Sequence, residues 1–252
     1  MTLPFYTSPE QLMRERSDLA RKGIARGRSV VVLTYSDGVL FVADNPSNTL
    51  HKVSEIYDRI GFAAVGRYPE FDSLRVAGIR HADLTGYAYD RKDVSGQTLA
   101  NVYAKALDAV FTERVKPYEV EVCVAEVGSS QENDKMFRLS YDGSIDDESR
   151  FVVMGGQADT IRGVLREDYQ EGLELAAALR LAVRALGAEV GTGSGSGGAA
   201  APKREISVNQ LEVAVLERFR PNRAFRRIPT ATLATLVEER SGEDAPDGPA
   251  AE

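Results

Sequence analysis

The chain has 252 residues, 43% of them hydrophobic and 27% charged, so it is long enough to bury a real core in one large or two small domains. A net charge of −7 argues against a general nucleic-acid binder, and no apolar stretch approaches the roughly 20 residues that span a membrane. The single cysteine excludes an intramolecular disulfide, and no basic-then-apolar secretory leader is present, so we expect a cytoplasmic protein.

The chain opens with a short apolar leader, residues 1–7, followed by the pattern of a helix start. Ser8, with a glutamine three residues later, forms a capping box, and Pro9 suits the first helical position. Apolar residues then recur at helical spacing: Leu12, Met13, Leu19, Ala20 and Ile24. This spacing predicts a helix over residues 8–26 that stops at Gly27.

Two hairpins and two helices are predicted next. Residues 29–44 and 52–65 each contain two apolar, β-branched runs joined by a turn, which is typical of hairpins. The apolar period then changes, and residues 68–88 and 95–115 carry apolar side chains at helical spacing. A charged loop at residues 90–93 separates these two helices.

The rest of the chain repeats the grouping of strands and helices. Strands are predicted over residues 119–127, 135–141 and 150–154, and helices over residues 157–170 and 173–187. Residues 187–204 are rich in glycine, alanine and serine, so we expect a flexible surface loop. Two strands follow, the first at residues 211–216, and then a helix from Thr230. Residues 241–252 are acidic and are expected to form a disordered tail.

This order of elements predicts an α+β fold in which two antiparallel sheets stack between layers of helices. Clusters of strands alternate with pairs of helices, whereas a doubly wound nucleotide-binding fold alternates single strands with single helices. We expect residues 1–240 to form one domain.

Two glycine-rich stretches raise the question of phosphate or small-molecule binding. Residues 191–198 lack the preceding strand, the following helix and the lysine of a phosphate loop, so a linker is the better interpretation. Gly155–Gly156 lies between a predicted strand and a predicted helix, a context that favours anion binding. A tight connection explains this pair more simply, and a small-molecule binding module remains an alternative.

Nucleophilic catalysis has little support among the residues. The chain has two histidines and no serine elbow motif, and Cys123 lies in an alternating strand pattern that predicts burial. We therefore predict no metal site and no cofactor. Loss of Met1 would expose Thr2 as an N-terminal threonine, although it precedes the first strand by some two dozen residues. A self-processing threonine hydrolase, cut near Arg28–Ser29, is the second alternative.

A run of arginines surrounds the last predicted turn. Its members are Arg218, Arg220, Arg223, Arg226 and Arg227. Because the whole chain is acidic, a solvated edge or a rim that meets another subunit is a better interpretation than a nucleic-acid stripe.

Several sequence blocks, in order, together resemble the α-type core subunits of actinobacterial proteasomes. They occupy residues 8–11, 13–16, 38–43, 57–62, 86–91, 116–120, 141–144 and 151–156. The resemblance covers about residues 1–240 and implies an N-terminal-nucleophile (Ntn) hydrolase-like fold, a four-layer α-β-β-α sandwich. It also implies that the subunit itself has no active site.

The resemblance further implies a homo-heptameric outer ring stacked on catalytic proteasome β subunits. The leader would then gate the passage of unfolded protein substrates by apolar packing, through Thr2, Leu3, Pro4, Phe5, Tyr6 and Thr7. The helix behind it would pack neighbouring subunits, through Ser8, Pro9, Leu12 and Leu19.

Lys52 matches the lysine with which family members hold the C-terminal tail of a ring ATPase. That ATPase delivers proteins tagged with prokaryotic ubiquitin-like protein (Pup), and a compact ammonium suits the capture of a chain end. Gly66 matches a position kept small for the tail backbone, and the adjacent Arg67 is more polar than its archaeal counterparts. Lys52 and Asp44 also align with the lysine and aspartate that assist the threonine of catalytic subunits.

Overall fold

The computed structural model describes residues 8–188, residue 204 and residues 206–238. Its helices and strands are α1 Pro9–Ala25, β1 Val30–Tyr35, β2 Gly38–Asp44, β3 Val53–Tyr57, β4 Ile60–Gly66, α2 Tyr68–Ala88, α3 Gly96–Glu113, β5 Val120–Glu126, β6 Lys135–Leu139, β7 Ile145–Glu148, β8 Phe151–Met154, α4 Ala158–Asp168, α5 Leu175–Gly187, β9 Leu211–Glu217, β10 Phe225–Arg227 and α6 Thr230–Glu238. The predicted gate residues, the predicted acidic tail and most of the predicted glycine-rich loop lie outside these ranges.

The strands form two five-stranded antiparallel sheets. The first sheet has the order β10-β9-β2-β1-β8, and the second has the order β3-β4-β5-β6-β7. Both predicted hairpins are present, because β1 pairs with β2 and β3 pairs with β4. Each sheet therefore contains one early hairpin. Later strands flank the first hairpin on both sides and extend the second hairpin on one side.

Helices cover the outer faces of both sheets. α4 and α5 pack on the first sheet, α2 and α3 pack on the second, and the two inner faces form a central core between them. The predicted α+β arrangement of two antiparallel sheets between helix layers is confirmed. None of the helices in the described ranges combines the length and the hydrophobicity that a membrane crossing requires.

Strand β1 is buried on both faces, which explains its uninterrupted apolar sequence. Val30 and Val32 belong to the core between the sheets, whereas Val31 and Leu33 pack beneath α4 and α5. Full burial of such aliphatic side chains contributes about 1.5–3 kcal/mol each. The first strand is thus fixed in register from both sides.

The sequence analysis did not predict β7. Three of its four residues are acidic, and its side chains are largely exposed. Of the strands in the described ranges, it pairs only with β6, at the edge of the second sheet. The apolar alternation that marks a half-buried strand is therefore missing. Charged residues on an edge strand also discourage pairing with other chains.

The prediction of a solvated arginine edge is wrong for Arg218. Its side chain is 4% exposed and donates two hydrogen bonds of 2.8 Å to the fully buried carboxylate of Asp134. This pair links the end of β9 in the first sheet to the connection between β5 and β6 in the second. The other arginines of the run are at least partly exposed, and Arg223 pairs with Glu55 at the surface.

Candidate functional site

Helix α1 begins at the Ser8 cap that the sequence predicts, but the capping box is incomplete because the Gln11 side chain donates to Glu15. The Ser8 hydroxyl accepts a 3.2 Å hydrogen bond from the backbone N–H of Gln11, and Pro9 occupies the first turn. At the other end, the Gly27 N–H donates to the Ile24 carbonyl. Interactions of neighbouring residues therefore fix both ends of the helix, and its C-terminal end lies immediately before β1 in the chain.

Only the C-terminal half of α1 is packed against the sandwich. Ala20 and Ile24 are its buried residues. Leu12 and Leu19, two of the predicted ring contacts, are 42% and 45% exposed, and Met13 is 37% exposed. Apolar side chains left uncovered on one helix are available to a partner surface.

The end of α1 approaches the second sheet closely because glycines face each other there. A Cβ added to Gly23 would lie 2.0 Å from Oε2 of Glu119, and one added to Gly27 would lie 3.3 Å from the Gly66 nitrogen. Gly66 itself has φ +107°, and a Cβ there would lie 1.9 Å from the Glu119 carbonyl oxygen. The backbone conformation and the close contact therefore require glycine at position 66, whether or not the tail of an ATPase binds there.

An open cleft of about 430 Å³ lies between the end of α1 and the end of β4. It is lined by Gly23, Arg26, Gly27, Gly66, Arg67 and Glu119. Arg26 and Arg67 are exposed and provide donors that suit an anionic chain end, although Arg67 pairs with Glu70 and the Glu119 carboxylate shares the lining.

Lys52 lies beside the connection between α1 and β1. Its ammonium donates hydrogen bonds of 2.6 Å to the Arg28 carbonyl and 3.1 Å to the Asp44 carbonyl. Its own carbonyl accepts from the N–H of Ala64, two residues before Gly66 on β4. The structure therefore brings Lys52, directly before β3, and Gly66, the last residue of the neighbouring strand β4, to the same end of the second sheet.

The Asp44 carboxylate is fully buried and is paired with two arginines. Nη1 of Arg28 lies 2.8 Å from one carboxylate oxygen, and Nη1 of Arg204 lies 2.8 Å from the other. A buried carboxylate is costly unless it is paired and hydrogen-bonded, and here both oxygens have a cationic donor. The family resemblance identified Asp44 as a candidate site residue but identified neither of its two arginine partners.

The start of β1 has no exposed nucleophile in this chain. Arg28 and Ser29 are interior residues of the chain behind α1, and Ser29 is fully buried. Lys52 donates to the carbonyl of the peptide bond between Arg28 and Ser29. A hydrolase with an N-terminal nucleophile would need this bond to be cut, so that the first residue of the strand has a free amine and an exposed hydroxyl. Burial also raises the pKa of the Cys123 thiol far above its usual range, so this cysteine is not poised to react.

Gly155–Gly156 has a packing explanation. Gly155 has φ +114°, and a Cβ there would lie 2.8 Å from the Ser29 Cα, while one on Gly156 would lie 2.2 Å from the Ala25 carbonyl oxygen. A neighbouring cavity of about 480 Å³ carries several carboxylates, including that of Glu121, whose pKa is raised chiefly by burial. Two arginines share this lining with four carboxylates, and the Gly155 N–H already donates to Glu121, so the cavity does not suit a phosphate group.

Comparison with known proteins agrees with this architecture. A family model described as "Proteasome subunit" matches residues 24–199. A protein of Saccharopolyspora erythraea named "Proteasome subunit alpha" is 65% identical over 250 residues, which cover 99% of this chain and 94% of that protein. Relatives with the same name from Actinosynnema mirum and Saccharomonospora viridis are each 62% identical, over 97% and 96% of this chain and 91% and 94% of their own lengths. The four-layer sandwich is accordingly the Ntn-hydrolase-like fold, and the chain belongs to the proteasome subunit family, among the α subunits of actinobacteria.

Proposed function

We propose that this chain is a non-catalytic outer-ring subunit of a proteasome core that works in the cytoplasm. Seven copies form a ring on the catalytic β subunits, gate the entry of unfolded proteins and dock an ATPase that delivers Pup-tagged substrates. The observation that carries this proposal is helix α1, which leads directly into β1, so that Ser29 at the start of the strand is joined to Arg28 by a peptide bond and has no free amine.

The surface of α1 supports a ring contact. Leu12, Met13 and Leu19 are exposed and lie on one helix within eight residues of one another. In a ring of identical subunits, one surface patch meets a different patch of the next copy. The gate is formed by residues 2–7, which directly precede this helix and carry Leu3, Phe5 and Tyr6.

The same end of the sandwich supports docking of an ATPase tail. Lys52 places an ammonium beside the connection between α1 and β1, and Gly66 lines the cleft that also carries Arg26, Gly27 and Arg67. A terminal carboxylate is recognised by such charged donors and by exposed backbone. Arg67, at the cleft, would favour a tail with polar or acidic character near its end.

Co-assembly with the β subunit tests the ring function. Size-exclusion chromatography of the chain mixed with its β subunit is expected to yield one large particle containing both chains, with peptide hydrolysis in that peak. The hydrolytic activity is expected to vanish when the β threonine is replaced by alanine. The α chain recovered from the particle should keep its first two dozen residues by mass spectrometry. A monomeric chain, or an α chain shortened to Ser29, would contradict the proposal.

Replacement of Lys52 tests tail docking. Lys52→Ala is expected to assemble normally but to weaken ATPase-stimulated degradation by about tenfold or more, because a hydrogen bond between charged groups contributes about 1.5–3 kcal/mol. Unstimulated peptide hydrolysis in the same particles reports any general damage from the loss of the contacts to Arg28 and Asp44. Lys105→Ala, at an exposed lysine of α3, is the matched control. Normal stimulation of the Lys52 variant would refute the docking role.

A further inference from the structure

Two hairpins of this chain carry opposite charges. Residues 140–149, which include the β6–β7 turn and β7, have four carboxylates and no lysine or arginine: Asp142, Asp146, Asp147 and Glu148. Residues 218–227, which run from the end of β9 through β10, have five arginines and no carboxylate, and Arg218 among them is buried. We call Asp146, Asp147 and Glu148 of β7 the acidic edge, and Arg220, Arg223, Arg226 and Arg227 the arginine edge.

The two edges lie on opposite sides of the sandwich. β7 ends the second sheet, and it shares the lining of a cleft with the first residue of β8, which ends the first sheet on the same side. β10 ends the first sheet on the other side, where β3 ends the second sheet. There Arg227 donates to the Val53 carbonyl of β3, and Arg223 pairs with Glu55 of the same strand.

One row of paired residues crosses the second sheet from the acidic edge to β3. The row consists of Glu148, Met136, Ala125, Gly61 and Glu55. Nε of Arg223 lies 2.9 Å and 2.7 Å from the two carboxylate oxygens of Glu55. Glu148 and Arg223 are therefore level with each other, at the two ends of one row that spans five strands.

Charges at both edges are available to another molecule. Asp147 and Glu148 have no cationic partner in the described part of the chain, because three of the four arginines in the cleft behind β7 pair with other carboxylates: Arg138 with Asp146 and Glu121, Arg150 with Glu171, and Arg162 with Asp159. At the other edge, the Arg223 side chain is 68% exposed although it pairs with Glu55. A guanidinium has five N–H donors, so it can bind a second carboxylate.

We propose that the acidic edge of each copy docks against the arginine edge of the next copy in the ring, with Glu148 facing Arg223; this inference rests on the proposed function. A ring of identical subunits needs a heterologous contact, in which two different surfaces of the same chain meet. The two edges are such surfaces, and their charges are complementary. The contact is separate from the one proposed for α1. It is made by side chains and not by strand pairing, which the charges of β7 discourage.

The direction of the strands brings the right residues together. The strands run from the end of the sandwich that carries the end of α1 to the opposite end, as β4 does when it finishes at Gly66 beside Gly27. In the proposed ring, every copy places α1 on the same face, so neighbouring copies meet at the sides of the sandwich and residues of one row come together. Like charges also disfavour the contact of two acidic edges or of two arginine edges, which would close a dimer.

Charge reversal tests this contact in the chain assembled with its β subunit. Glu148→Lys and Arg223→Glu each place like charges at every contact of the ring. We expect each variant to need about tenfold or more higher chain concentration for half-maximal assembly, followed by size-exclusion chromatography. The two substitutions in one chain restore opposite charges at every contact and should recover most of the assembly. Glu113→Lys, at an exposed carboxylate of α3, is the matched control and should assemble normally.

Cross-linking locates the contact independently of its strength. Glu148→Cys and Arg223→Cys are combined in one chain, whose natural cysteine, Cys123, is buried. Treatment of the assembled core with a short bis-maleimide is expected to give a ladder of joined α chains that extends beyond the dimer, because each copy is linked to both neighbours. Neither single-cysteine variant should give a ladder. A joined dimer from either single variant would show that like edges meet, and would overturn the proposal.

The outcomes separate this contact from the proposed function. If the wild-type chain forms no particle with its β subunit, the proposed function is refuted and the contact with it. If the wild-type chain assembles, normal assembly of both reversal variants, or failure of the double reversal to recover assembly, overturns the contact and leaves the proposed function standing. If circular dichroism shows that a reversal variant does not fold, Glu148→Gln and Arg223→Gln decide, and each is expected to weaken assembly several-fold.

Discussion

Deletion of residues 2–7 is expected to accelerate peptide hydrolysis by the assembled core about tenfold or more. The leader carries Leu3, Phe5 and Tyr6, and burial of one such side chain contributes about 1.5–3 kcal/mol. A closed state favoured by only about 1.4 kcal/mol leaves the entry open about a tenth of the time. Removal of the plug therefore raises entry by that factor, and seven converging copies would favour closure further.

The control for this deletion keeps the length and removes the apolar side chains. Substitution of residues 2–7 by a glycine-serine segment of equal length is expected to accelerate hydrolysis nearly as much as the deletion, since closure depends on apolar packing. Both variants start α1 at the same Ser8–Pro9 cap, so ring assembly should be retained. Hydrolysis at the wild-type rate in the deletion variant, with assembly verified, would contradict the gate.

Most of the fold could be predicted because its signals are local. The apolar runs of β1 and β2 and the helical spacing in α2 and α3 each occur within about twenty residues of sequence. β7 could not be predicted, because it is held by pairing with β6 and not by its own burial pattern. Strand order likewise depends on partners distant in sequence, as in the pairing of β2 with β9.

The candidate site was only partly predictable for the same reason. Lys52, Gly66 and Asp44 were identified through resemblance, but Arg204 meets Asp44 across 160 residues, and nothing in the local sequence marks it. One signal was available: Asp44 ends a strand that is otherwise wholly apolar, and a buried carboxylate demands cationic partners.

Arg218→Met is expected to lower the free energy of unfolding of the chain by about 3–5 kcal/mol, the cost of leaving one partner of a buried ion pair uncompensated. Among the described residues, the fully buried Asp134 carboxylate would keep only the 2.8 Å hydrogen bond from the Gly128 N–H. Urea unfolding of the full chain, followed by circular dichroism, measures the loss. Arg223→Met, at the exposed pair with Glu55, should have a far smaller effect because solvent screens that pair.

A double variant separates loss of charge compensation from loss of packing at this pair. Asp134→Asn retains a carbonyl oxygen that can accept from the Gly128 N–H but carries no charge. Combined with Arg218→Met, it is expected to recover most of the lost stability, so the two single effects should be strongly non-additive. If the double variant is as unstable as the sum of the single variants, the arginine acts mainly through packing between the sheets. If Arg218→Met alone unfolds at the wild-type urea concentration, the pair contributes nothing to the link between the sheets.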